Sequence, residues 1–116
     1  MIKKYLVDKE GEPDKPYLLL EDIHYMSRYG HEVYVPAGRR SDGATGAFDI
    51  ISNSWWIHDE LCNNGCFQDA FICTNLMAST VLSDVLKSEG RWIRARYWFL
   101  FTLALGGGEA RDNGLF

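Results

Sequence analysis

The chain has 116 residues, 47% apolar and 14% aromatic, and a formal net charge of −4. That length argues for one domain that can bury a core without disulfides or a structural metal. The apolar fraction excludes intrinsic disorder, and the acidic balance lacks the basic footprint of a nucleic-acid binder.

The opening run Met1-Ile2-Lys3-Lys4-Tyr5-Leu6-Val7 is too short in apolar residues for a secretory signal. Gly11 to Pro16 mixes Gly, two Pro and charges, which predicts a loop. Tyr17-Leu18-Leu19-Leu20 and His31-Glu32-Val33-Tyr34-Val35 are predicted strands, being rich in β-branched and aromatic residues. Arg28-Tyr29-Gly30-His31 suits a hairpin turn, and Val35-Pro36-Ala37-Gly38 ends the second strand, because Pro lacks a ladder donor.

From about Ser52 the apolar period changes from two to 3.6. Ser52 or Asn53 can cap a first helix running to about Cys62, and Asn63-Asn64-Gly65 breaks it, with Gly65 suited to a left-handed cap. A second helix is predicted from about Phe67 to Lys87, with Phe71, Leu76, Val81, Leu82, Val85 and Leu86 on its apolar face. A third is predicted from about Trp92 to Leu105, stopped by Gly106-Gly107-Gly108. No apolar stretch reaches the roughly eighteen residues of a membrane-spanning helix, so Tyr97 to Leu105 reads as a buried core segment. The expected architecture is α+β in a single domain, 1–116. A β-hairpin-rich half over about 1–50 packs on three helices over about 52–106, and 107–116 forms a flexible tail.

The segment Trp56-Ile57-His58-Asp59-Glu60-Leu61-Cys62 sets a His-Asp pair inside an apolar run, and Asp69 follows ten residues after Asp59. If both segments are helical, His58 and Asp69 lie about one turn from the vertex of an antiparallel hairpin, at similar height. A carboxylate there would fix the imidazole tautomer, as in a catalytic dyad. Asp59 points about 100° away, toward the loop Arg40-Ser41-Asp42-Gly43-Ala44-Thr45-Gly46. There Asp42, Thr45 and backbone carbonyls offer oxygen ligands suited to calcium or magnesium, with Gly43 and Thr45 as the loop contacts. The residues leave two readings open: a structural hydrogen bond that locks two helices, and a catalytic or metal-assisted site.

Other features point to less. His58, Cys62, Cys66 and Cys73 could donate to zinc, but the cysteine spacing matches no common zinc site. The three thiols read better as small buried hydrophobes in a chain without an export signal. The loop at 41–46 lacks a phosphate-binding lysine. Arg91, Arg94 and Arg96 sit at the start of the third helix, where its macrodipole disfavours them. They are expected to pair with Glu89 or Asp84, or to contact a partner.

The order Val35-Pro36-Ala37-Gly38, Ser41-Asp42-Gly43-Ala44-Thr45, Ile57-His58-Asp59-Glu60-Leu61 and then Asp69 resembles a family of small bacteriophage and prophage proteins. Its members read Val-Pro-Ala-Gly-Phe, Thr-Asp-Gly-Ala-Ser, His-Asp-x-x-Tyr and an Asp about ten residues on. The resemblance covers roughly residues 17 to 105. Arg39 stands where the family has Phe, Thr45 where it has Ser, Leu61-Cys62 replaces the apolar-Tyr ending, and the Pro that often follows the Ser is absent. Over about residues 55 to 75 the His-Asp helix is also similar to secretory calcium-dependent phospholipases. That likeness implies His58 as base, Asp59 as calcium ligand and Asp69 as orienting carboxylate. The phospholipase calcium loop and disulfides are missing, so Asp42-Gly43 would have to substitute.

Two functions are expected from these resemblances. The first is a phage virion or virion-assembly component of tail, neck or capsid, made in the host cytoplasm and partnered by other phage proteins. The second is a divalent-metal-assisted hydrolase of lipid or cell-envelope esters or amides, using His58 and Asp69 with a cation at Asp59 and Asp42. An inhibitor of a host defence protein is a third option.

Overall fold

The computed structural model describes residues 5–7, 17–41, 53–105 and 108–116. Strand β1 (Tyr5–Val7) pairs antiparallel with β2 (Tyr17–Leu19), which pairs antiparallel with β5 (Arg40–Ser41). A separate hairpin joins β3 (Ile23–Met26) to β4 (Glu32–Val35), with Ile23 opposite Val35 and Tyr25 opposite Val33. The turn at 28–30 falls where Gly30 predicts it, and Gly30 takes φ +79°, a conformation that favours glycine. Burial follows the strand period of two: Ile23, Val33 and Val35 face inward, whereas His24 and Met26 face solvent.

Helix α1 (Asn53–Asn64) is the element against which both halves pack. Trp56, Ile57 and Leu61 join Leu19, Ile23, Val33 and Val35 in one buried cluster, which fixes the β-rich half onto the helices. The fold is therefore α+β. On another side of α1, Trp55 meets Trp98 edge-on, with ring centroids 4.8 Å apart, in a second cluster with Leu82, Leu86 and Ala95. Gly65 ends α1 at φ +68°, and its N–H donates to the Leu61 carbonyl at 2.8 Å, as the left-handed cap requires. Ser52, the other expected start of this helix, lies outside the described residues.

The second helix starts later than its apolar pattern predicts. α2 spans Asn75–Ser88, and residues 65–74 form an irregular loop closed by a bridge between Cys66 and Ile72. Local side-chain hydrogen bonds outcompete the helix here. The Asp69 carboxylate accepts from the Phe71 N–H at 3.1 Å, Ala70 turns to φ +70°, and Thr74 caps α2 by accepting from the Met77 N–H at 3.4 Å. Phe71, expected on an apolar helix face, is half exposed instead. Helix α3 (Trp92–Leu105) has the expected bounds. Small residues Ser79 and Ala95 are fully buried, which lets side chains of α2 and α3 approach closely. Thr102 Oγ1 lies 2.8 Å from Ser79 Oγ, and the Asn75 amide donates to the Leu103 carbonyl at 2.8 Å. No helix among the described residues is long and apolar enough to cross a membrane.

Residues 108–116, the described part of the segment expected to be a flexible tail, pack against the helices. A short helix α4 (Glu109–Asp112) buries Ala110 in the main core cluster. A Cβ at Gly108 would sit 2.6 Å from the Cys62 carbonyl oxygen, so only glycine allows this approach, at φ +85°. Asn113 Nδ2 donates to the Gly65 carbonyl at 2.8 Å and to the Cys73 carbonyl at 3.0 Å. The Gly114 and Leu115 carbonyls accept from the first two N–H groups of α2, Asn75 at 3.0 Å and Leu76 at 2.8 Å. With Thr74 on Met77, the donors that a helix start leaves unmet find partners. Asn113→Ala removes the donor to the Cys73 carbonyl and one of two donors to the Gly65 carbonyl, which keeps the Cys73 N–H, and is expected to lower stability by about 1–3 kcal/mol. The readout is a reduced urea midpoint at unchanged slope; an unchanged midpoint would show that this amide does not hold the segment.

Candidate functional site

The His-Asp segment forms the middle of α1, where the helix is buried nearly all round. His58 is 5% exposed. Its ring stands edge-on to Trp55 at 6.0 Å, and Cys62, one turn later, places its sulfur 3.5 Å from Nε2 and 3.8 Å from Nδ1. Burial lowers the imidazole pKa to about 4, so the ring is neutral at physiological pH. Burial first, then the charges of Asp59 and Cys73, pushes the Cys62 thiol up to about 12. Both shifts favour the neutral pair, with the proton on Cys62 and none added to His58. This order is the reverse of what an activated thiolate needs. The pair is a neutral, sealed contact.

The expected contact between His58 and Asp69 is not formed. It required Asp69 to sit on the first turn of a helix antiparallel to α1, and Asp69 lies instead on the exposed 65–74 loop. Its carboxylate takes His31 as partner, with His31 Nδ1 to Asp69 Oδ2 at 2.5 Å. The His31 ring stacks on Phe71 at 4.0 Å, with 16° between the planes. The hydrogen bond from His31, then that from the Phe71 N–H, holds the Asp69 carboxyl below the usual range. The likeness to phospholipases placed a base and its orienting carboxylate together; here the two residues belong to different environments.

Asp59 lies on α1 at a partly exposed position. Its expected partners Asp42, Gly43 and Thr45, and with them the proposed calcium or magnesium site, lie outside the described residues. Among the described residues no group of three or more His, Cys, Asp or Glu is arranged to hold a metal ion. Of the four residues of the zinc alternative, His58 and Cys62 are in contact, and the four form no group arranged to hold a metal.

Two interactions missed in the sequence organise this region. Arg39 grips Glu60 with both ends of its fork, Nε to Oε1 at 3.0 Å and Nη2 to Oε2 at 3.1 Å. Asn64 adds a third bond to the buried Glu60 carboxylate at 2.9 Å. The 35–39 turn is thereby fastened to the helix that carries His58. Arg39 is also the position at which the chain departs from the Phe of the resembled phage family, and Glu60 gives that departure a partner. The second is the His31–Asp69 latch between the β3–β4 turn and the 65–74 loop, 38 positions apart in sequence. Its only sequence signal was that both residues flank turn-forming segments, which selects many pairs.

Comparison with protein-family models, with curated proteins and with solved structures found no match.

A neutral buried histidine makes stability depend on pH. The folded pKa of His58 lies below the unfolded value of 6.5, so the unfolded chain takes up the proton first as pH falls. Its contribution is complete above about pH 6.5 and is lost progressively toward pH 4, by about 3 kcal/mol in all. Melting temperatures from pH 7.5 to 5 should fall less steeply for His58→Leu than for the wild type; parallel curves would contradict a sealed neutral ring. The thiols give a second expectation. Cys62 and Cys73 are buried with pKa values near 12, and Cys66 is partly exposed. An aromatic disulfide reagent at pH 8 should label Cys66 in the folded protein and all three thiols after denaturation. Rapid labelling of Cys62 in the folded state would show that the His58 chamber opens.

Proposed function

We propose that this chain is a bacteriophage-encoded component of the virion or of its assembly, and that it works by protein–protein contact. The observation that carries the reading is the face that α3 turns to solvent. Trp92, Ile93, Tyr97, Leu100 and Leu105 are 65, 88, 58, 59 and 70% exposed on one 14-residue helix. A helix apolar all round is normally covered on every side. Here Ala95, Trp98 and Thr102 are buried against the rest of the fold, whereas Ile93, Tyr97 and Leu100 on the opposite side stay exposed. An exposed apolar patch of that extent marks a contact surface.

The phage resemblance supports the source of the partners. Its first and third motif segments, 35–38 and 57–61, meet in the main core, where Val35, Ile57 and Leu61 share one buried cluster. Its Asp69 serves a latch and not His58. That pattern suits a family whose hallmark residues hold a shape. A hydrolase using His58 needs the ring open to water and substrate, and the ring is sealed.

The protein is expected to co-sediment with purified virions or assembly intermediates through a density gradient, at a fixed ratio to the major structural protein. Recovery only from the soluble lysate, never with particles, would overturn the assembly reading and favour an inhibitor of a host protein.

A further inference from the structure

We propose that the cleft between α2 and α3 binds a small aromatic anion, a planar ring that carries a phosphate or carboxylate group. The cleft has a volume of about 790 Å³, within the range of small-ligand sites. Asp84 and Lys87 line it from α2, Trp92, Arg96 and Phe99 from α3, and Arg28 from the β3–β4 turn. At 100° per residue, Trp92, Arg96 and Phe99 fall within about 60° of one another on α3. Tyr97, Leu100 and Leu105 do not line the cleft, so this reading and that of the contact surface can fail separately.

Charge selects an anion. The chain has a formal net charge of −4, yet this cleft gathers three cations against one carboxylate. That carboxylate is already engaged. Arg28 grips both oxygens of Asp84, Nε to Oδ2 at 2.7 Å and Nη2 to Oδ1 at 2.5 Å, which makes a neutral pair. Lys87 and Arg96 remain, and neither forms a salt bridge among the described residues. Two uncompensated cations lining one concavity focus a positive potential there, which a bound anion relieves. The planar fork of Arg96 suits two oxygens of a phosphate or carboxylate, and Lys87 adds a point charge. Thr80 and Ser83 give the α2 wall two hydroxyls as neutral polar groups.

Trp92 supplies the reason for a planar ring. Lys87 Nζ lies 5.7 Å from the centroid of its indole, a cation–π contact that ties the ring to the charged wall. At 65% exposure the indole keeps open surface on which a flat ring can stack, and Phe99 belongs to the same wall. The other three tryptophans, Trp55, Trp56 and Trp98, are buried in the core. A long polyanion fits less well, because beyond the cleft it would meet an acidic chain.

Titration of the full chain at low salt with adenosine monophosphate, phenyl phosphate and benzoate tests the site, followed by calorimetry and by tryptophan fluorescence. At least one of these anions is expected to bind saturably at one site per chain, with a Kd below about 1 mM, and to change the emission of the exposed Trp92. Adenosine and inorganic phosphate, each carrying half of the chemistry, should bind about tenfold more weakly or not at all. Arg96→Gln and Lys87→Gln, both outside the core, should each weaken binding about tenfold or more at an unchanged circular-dichroism spectrum. Trp92→Leu should weaken it too, read by calorimetry. Arg94→Gln, on the same helix but not lining the cleft, should bind like the wild type. Failure of all three anions to bind at about 10 mM overturns the proposal. So does inorganic phosphate that binds as well as adenosine monophosphate, which would reduce the cleft to a bare basic patch. Wild-type affinity in Arg96→Gln overturns it as well, by placing the ligand elsewhere.

Discussion

Everything in this structure is arranged around the junction where α1 ends and α2 begins. A buried helix terminus must find partners for its N–H or carbonyl groups, or lose stability comparable to several hydrogen bonds. Here the end of α1, the loop after it and the start of α2 meet under the cover of residues 108–116. Asn113 supplies two donors to Gly65 and Cys73, and the carbonyls of 114 and 115 supply two acceptors to α2. The approach is close enough that Gly108 and Gly65 cannot carry a Cβ without displacement. With this junction satisfied, α1 can be buried on nearly every side and hold both the hairpin and the other helices.

That arrangement also changes how the His-Asp motif is understood. His58 is at the centre of the most buried helix, where protonation would place an unpaired charge in an apolar chamber. Its neighbours do not compensate such a charge; they are Trp55 and the Cys62 thiol. A neutral imidazole fits there as a flat, moderately polar space-filler. The polar work around the motif is done by its neighbour Glu60, which receives three hydrogen bonds from Arg39 and Asn64 and so reaches across to the β-rich half. On this view the motif's conspicuous residue is structural, and its inconspicuous one makes the connection.

Much of the architecture was legible because it rests on signals local in sequence. The bounds of α3, the glycine cap of α1 and the hairpin turn at Gly30 each follow from a breaker next to a clear period. The start of α2 was not legible, since Phe67 and Phe71 continue a plausible apolar pattern. Only the competing bonds of Asp69 and Thr74 show that the backbone turns elsewhere. The partner of Asp69 was missed for a related reason. Spacing measured along an assumed helix pointed to His58, while the true partner comes from another element. The docked tail gave the weakest signal of all. It binds largely through main-chain carbonyls, which every residue type possesses.

That last feature bears on how the chain folds during synthesis. The acceptors for the first N–H groups of α2 are made about forty residues after those groups leave the peptidyl transferase centre. Until then the helix has two unmet donors at the point where it should lock to α1, and α1 has no cover over its end. The contacts that complete the core are thus of long range in the chain, which slows their formation. The hairpin and the α2–α3 pair rest on contacts of shorter range, whereas the start of α2 is completed only through residues 113–115.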